Sequence, residues 1–238
     1  MKAIKNHIYA FKRATNLLIK RKFLIYFIPG IVIMCLFYLF MFIFESIGSA
    51  LGVISYTPWI GSYLGTAVDS VFNWMNSLSI YFYQFTIITL LSPFHTALSQ
   101  AVETHETGIH FKSNWSKFFN DLIRTLGVVI FGGFLYLIIM LAWYLLAWSL
   151  GLNFLSPLVS LILVAFFTGF NSYDYSLERH NVKVKDSWNY AFHHPLHMIL
   201  TGLIFTALLF IPFIGVVIAP VLLTSVGTIN YLKLKSEK

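Results

Sequence analysis

The chain has 238 residues, of which 58% are hydrophobic, 18% aromatic and only 11% charged, with a formal net charge of +7. Soluble domains carry roughly 25% charged residues, so this composition excludes an ordinary soluble protein and defines an integral membrane protein. The apolar runs are too closely spaced to leave room for an independent soluble domain, and residues 1–238 read as a single membrane domain.

Residues 1–22 form a basic, interfacial N-terminus with seven of the 16 Lys and Arg residues. Residues 23–44 follow without a charge. At 1.5 Å per residue they cover about 33 Å, enough for a hydrocarbon core of about 30 Å. The run exceeds the roughly 7 to 15 residues of a signal-peptide core, so it reads as a retained crossing helix. Cys35 lies inside it as the single cysteine, which excludes a disulfide framework. From Glu45 to Asp69, glycines and Pro58 indicate a loop or a short interfacial piece, with Trp59 and Tyr63 suited to the headgroup level. Residues 70–91 are a second crossing helix. Ser92-Pro93 is then an N-cap and N1 pair, opening the 93–124 region of cytoplasmic helix.

Residues 125–170 form a first hairpin divided at "GLNFLSP", 171–195 a polar joint, 196–232 a second hairpin divided at "IPFIG", and 233–238 a basic tail. Hairpin arms of 13 to 18 residues are only about 20–27 Å long. Their bends expose backbone groups that lipid cannot satisfy. The expected fold is therefore all-α: two long transmembrane helices plus short helical hairpins that enter the bilayer part way. All basic residues fall on one side if each apolar pair makes an out-and-back excursion. By the excess of Lys and Arg on cytoplasmic segments, that side is the cytoplasm, with both termini inside and the charges of the joint in water. No Asp, Glu, Lys or Arg falls inside an expected span, which disfavours a coupled pump.

Three segments, "LLSPFHTALSQAVE" (90–103), "YDYSLERHNVKV" (173–184) and "FIPFIGVVIAP" (210–220), resemble in order and separation motifs of the CysZ-type sulfate permeases and the related etoposide-induced membrane proteins. The resemblance covers about Ile19 to Tyr231. It implies a homo-oligomer of the bacterial inner membrane that passes sulfate inward for cysteine synthesis. It also implies an anion site near the basic residues before the first span, which maps onto Arg21 and Lys22. Here that segment reads "LLIKRKF", without the glycine that precedes an arginine pair in the family pattern.

Each candidate group has a plainer reading beside the functional one. Lys20, Arg21 and Lys22 are a topology anchor for anionic lipid at about 1 kcal/mol each, or a positive vestibule for an oxyanion. The turn at Ser92, Pro93 and Phe94 is an ordinary helix restart, or a helix N-terminus whose free N–H groups bind an anion. Ser70, Asn73, Ser77, Tyr81 and Gln84 share one helical face. They are interhelical glue, or the lining of a conduit. Asp174, Tyr175 and His180 read as a structural clasp, since no activated nucleophile accompanies them. His193, His194 and His197 lack the further ligands zinc needs and read as interfacial. No metal, cofactor or catalytic constellation is expected, and the absence of a P-loop motif argues against ATP use. The basic residues are spread over four membrane-proximal segments, so nucleic acid is not an expected partner. An uncoupled anion permease is the leading reading, with membrane lipids and further copies of the chain as partners. A non-transporting scaffold or regulator is its competitor.

The one-sided distribution of basic residues generates a topology test. Reporter fusions at Lys238 are expected to be active on the cytoplasmic side alone, and equal activity on both sides would overturn the assignment.

Overall fold

A computed structural model describes residues 2–52, 91–110, 115–211 and 214–236, all of it helix and short connections. Helix α1 (Lys2–Leu18) leads into a 3-10 helix (Arg21–Phe27) and α2 (Ile28–Gly52). Helix α3 (Ser92–Thr107) is followed by α4 (Trp115–Leu150), a 3-10 turn (Asn153–Leu155), α5 (Ser156–Arg179), α6 (Val184–His193), α7 (Pro195–Leu209) and α8 (Ile214–Ser236). Among the described residues, four helical stretches, 22–40, 123–150, 153–179 and 217–236, are long and apolar enough to cross a membrane. Helices α6 and α7 meet at a 90° bend that makes a broken span or a re-entrant loop. The protein is an all-α membrane protein, as its composition requires. Where the sequence places a second crossing helix, residues 70–91, nearly all positions lie outside the described residues, as do Ser70, Asn73, Ser77 and Gln84.

Antiparallel pairing organises the bundle. Helices α4 and α5 form a hairpin closed near its tip by the Trp143 Nε1 donor to Ser156 Oγ at 3.0 Å, and lower down by Tyr136 and Ser160 at 2.9 Å. Pro157 at the first turn of α5 starts the return helix without costing a hydrogen bond. Gly151, at φ 69°, makes the turn, in a backbone region that favours glycine. Helix α7 runs back along α5 in very close contact. A Cβ on Gly169 would land on the Met198 carbonyl, and one on Gly202 would land on the Ala165 carbonyl. Small residues permit this approach, which membrane helices need because lipid supplies no hydrophobic drive for their association. Helix α8 then returns parallel to α5, with Gly227 against Ser172.

The elements differ from the sequence expectation at their ends. Helix α5 does not stop at Phe170. It continues to Arg179, and Ser172 to Arg179 are all buried. The charges of this stretch do not stand in water: Asp174, Glu178 and Arg179 face other helices, because each finds a partner there. The first hairpin is correspondingly longer, with 36 residues in α4, or about 54 Å.

Amphipathic α1 packs Ala10, Ala14, Leu17 and Leu18 against the bundle and exposes Lys5, Lys12 and Arg13. Lys20 meets His105, Arg13 meets Glu106 and the Lys233 ammonium lies over the Tyr9 ring, so basic residues of α1, α3 and α8 gather at one end. The turn between α4 and α5 lies at the other. Helix α2 touches α8 where Gly30 faces Val217 and then leaves the bundle, with Ile31, Val32, Leu36, Leu39, Phe42 and Ile43 exposed. The α7–α8 hairpin thus ends near the first turn of α2, well short of that helix's far end.

The glycine contacts predict stability. Gly169→Ala and Gly202→Ala each force two backbones apart and are expected to cost about 1–3 kcal/mol, read as a lowered unfolding midpoint in detergent. Gly133→Ala, where a Cβ meets nothing within 4 Å, is expected to leave the midpoint unchanged.

Candidate functional site: a buried polar seam

Helices α3, α5 and α8 run parallel, and along their common interface polar side chains recur at one-turn intervals. On α3 these are His95, Ser99 and Glu103, on α5 Ser172, Ser176 and Arg179 with His180, and on α8 Thr224 and Thr228. Residues four apart share a helical face, so three in-register helices stack them in layers.

The middle layer is a triangle of hydroxyls. Ser99 lies 3.1 Å from Ser176 and 2.7 Å from Thr228, and Ser176 donates to Thr228 at 3.2 Å. Thr228 in turn donates to the Thr224 carbonyl at 2.8 Å. With Arg179 Nη1 donating to Ser99 at 2.7 Å, the hydrogen bonds can run in one direction, from the guanidinium to the Thr224 carbonyl. Every hydroxyl proton then has an acceptor.

The layer toward the basic end is ionic. Arg179, with its side chain fully buried, donates Nε to Glu103 Oε2 at 2.7 Å, and its Nη2 donates to the same oxygen. The other carboxylate oxygen, Glu103 Oε1, lies 3.1 Å from His180 Nε2. Burial holds the His180 imidazole below its ordinary pKa, against the pull of the Glu103 carboxylate. A second pair braces the seam from α4. Arg124 donates Nη1 and Nη2 to the two oxygens of Asp174 at 2.7 and 3.0 Å, and Nη2 also reaches the Ser187 hydroxyl at 2.9 Å and the Val182 carbonyl at 3.3 Å. Glu178 stands beside this second pair, 3.7 Å from Arg124, and accepts from Thr96 at 3.3 Å.

The sequence-derived candidates separate on this frame. Asp174 and His180 fall in different ionic pairs, and Tyr175 stacks obliquely near His95 with ring centroids 5.5 Å apart. Ser92 is not the N-cap: Leu91 holds that position without a side-chain cap bond, and the buried Ser92 hydroxyl is hydrogen-bonded to Thr125 at 2.5 Å, whereas Phe94 points outward. Lys22 is exposed, its ammonium 5.3 Å from the centre of the Phe23 ring. Arg21 opens the 3-10 helix, and its side chain lies outside the described part. The histidines near the α6–α7 bend also divide: His193 is exposed, but His197 is buried beside His7. His7 Nε2 lies 2.8 Å from the Thr201 hydroxyl and 3.2 Å from the His197 carbonyl, and its Nδ1 lies 2.9 Å from the Ala3 carbonyl. Among the described residues no His, Cys, Asp and Glu group forms a metal site.

Arg124, Arg179, Glu103 and Glu178 are the residues that sequence reasoning passed over. Their signal was present as the four-residue spacing of His95, Ser99 and Glu103, matched by Ser172 and Ser176 and by Thr224 and Thr228. The expectation that no Asp, Glu, Lys or Arg falls inside a membrane span is corrected here, since the half-buried Arg124 and the buried Asp174, Glu178 and Arg179 all lie within candidate spans.

A multi-pass helical membrane protein whose interior is organised by paired charges and hydroxyls is the class these features define. A family model described as "Sulfate transporter CysZ/Etoposide-induced protein 2.4" matches residues 10–220, and the chain belongs to that family, which is of the transporter type. No curated protein matches the chain.

The ionic layer is open to a double-mutant cycle. Arg179→Met alone leaves Glu103 buried without its partner and is expected to cost about 3–5 kcal/mol, while Arg179→Met with Glu103→Met is expected to cost much less than the sum of the two single changes. Additive losses in unfolding free energy would contradict the pairing.

Proposed function

We propose that the protein is a permease for sulfate or a similar oxyanion in the bacterial inner membrane, both termini cytoplasmic, supplying sulfate for cysteine synthesis without coupling to a second ion. Family membership supports transport, and charge balance favours one location for the ion over another. The seam contains two guanidinium groups against three carboxylates, Glu103, Asp174 and Glu178, with the guanidinium donors already engaged. A dianion would meet repulsion there. Its ionisable groups are locked in pairs, which also argues against a proton carrier that must titrate.

The basic end is different. Lys20 is held 3.0 Å from His105, and Lys22 stands free of any carboxylate in the described contacts at the start of the helix that becomes α2. This juxtaposition of exposed cations at the foot of a membrane helix carries the reading, because a positive vestibule concentrates an anion before entry. Arg21 and Lys22 are its proposed first contacts. Ser92 and Phe94, at the start of α3, are proposed as a second, deeper contact. The face carrying Ser70, Asn73, Ser77 and Gln84 is proposed as conduit lining. Asp174, Tyr175 and His180 are proposed as the clasp that holds α5 in place. Homo-oligomers are proposed to complete the path.

Labelled sulfate uptake into proteoliposomes tests the function. Flux above that of empty liposomes is expected, falling several-fold in Lys22→Gln and in Asn73→Leu with assembly intact. Flux equal to empty liposomes would favour a scaffold. Normal flux with lowered stability in Asn73→Leu would make that face interhelical glue.

A further inference from the structure

One layer of the seam is not closed by protein atoms. One turn from the hydroxyl triangle, toward the α4–α5 turn, lies a cavity of about 20 Å³ lined by His95, Thr168, Asn171, Ser172, Tyr175 and Thr224. His95 is 4% exposed, and its Nε2 has no hydrogen-bond partner among the described residues. A buried polar atom without a partner costs about 1–3 kcal/mol, and native interiors rarely leave one. The cavity is roomy enough for the remedy, since one water needs about 10–15 Å³ and two to four polar partners. It has no room for a four-oxygen ion.

The setting favours a water in two further ways. Thr168 and Asn171 line this cavity and also a larger cleft of about 250 Å³ between α4 and α5, beside Gly132, Gly133 and Trp188. A route for exchange therefore adjoins the site. On the other side, the directed line of hydroxyls ends on the carbonyl of Thr224, a residue of the cavity wall. Pro220, also in the wall, sits inside α8 and removes one N–H from that helix.

We infer that this cavity is a binding site for a single water molecule, held by His95 Nε2 with the side chains of Ser172, Thr224 and Asn171, which joins the cleft between α4 and α5 to the buried hydroxyl line. Burial pushes the His95 imidazole down to about 4, so at neutral pH it is uncharged. If its proton sits on Nδ1, Nε2 accepts one of the water's protons. The other proton goes to a hydroxyl or to the Asn171 amide oxygen, and the water's lone pairs accept from the hydroxyls that remain. The site admits water and excludes an oxyanion, so it goes beyond the transport reading and is independent of which ion is carried.

Hydroxyl-radical footprinting of the full chain in lipid bilayers, without added sulfate, tests the site. A bound water generates radicals locally, so buried side chains on the cavity wall become oxidised. Tyr175 and Phe205 line it and are buried, while Tyr173 is fully buried away from it. Oxidation of Tyr175 and Phe205 is expected to be several-fold faster than that of Tyr173 and to fall to the Tyr173 rate in Thr224→Val and in His95→Leu. Equal rates at Tyr175 and Tyr173 in the unaltered protein would show a dry cavity and overturn the proposal. Unchanged Tyr175 oxidation in a folded His95→Leu would overturn the role of His95. Should His95→Leu fail to fold, Thr224→Val and the comparison within the unaltered protein still decide it.

Discussion

Taking a charged side chain out of water costs several kcal/mol even after relaxation, and the cost is recovered only where geometry and further hydrogen bonds are good. The fully buried pair of Arg179 and Glu103 imposes that constraint on the whole bundle. Glu103 is near the end of α3 and Arg179 is the last residue of α5, so the two helices must run in the same direction with their ends level. Ser99, one turn earlier, takes another guanidinium proton and passes its own to α5 or α8. Register is thereby fixed across three helices. The Arg124–Asp174 pair does the same for α4 and, through Ser187 and Val182, for the start of α6.

Close backbone approach makes the other half of the frame. Gly169 and Gly202 bring α5 and α7 into contact, and Gly227 brings α8 onto Ser172. Polar layers say where the helices must stop sliding, and glycines allow them to come near enough for short hydroxyl contacts. Neither device depends on expelling water from apolar surface, which suits a protein whose outer faces are apolar. Ile130, Phe134, Leu137, Leu141 and Leu145 on α4 are all exposed, as a lipid-facing surface should be.

The same arrangement divides the molecule electrically. Paired charges hold the seam, whereas exposed cations, Lys20 and Lys22 among them, collect at the end where α1, α3 and α8 meet. The charge that holds the structure and the charge proposed to attract an anion thus occupy separate regions. An ion drawn to the basic end would not have to break the contacts that keep the bundle together.

Composition and periodicity are local properties, and they determined much of what is true of this chain: a helical membrane protein, a helix opening at Ser92-Pro93, breaks near Gly151 and between 209 and 214, and the family resemblance carried by residues 90–103, 173–184 and 210–220. Tertiary structure alone decided the fate of the polar block after Phe170. A run containing Asp174, Glu178, Arg179 and His180 looks like a solvated joint, because isolated charges belong in water. Whether such a charge is solvated or buried depends on its partner, and the partners of Arg179 and Asp174 are 76 and 50 residues away in the chain. The cavity at His95 was illegible for the same reason, since its wall is built by four helices that are separate in the sequence.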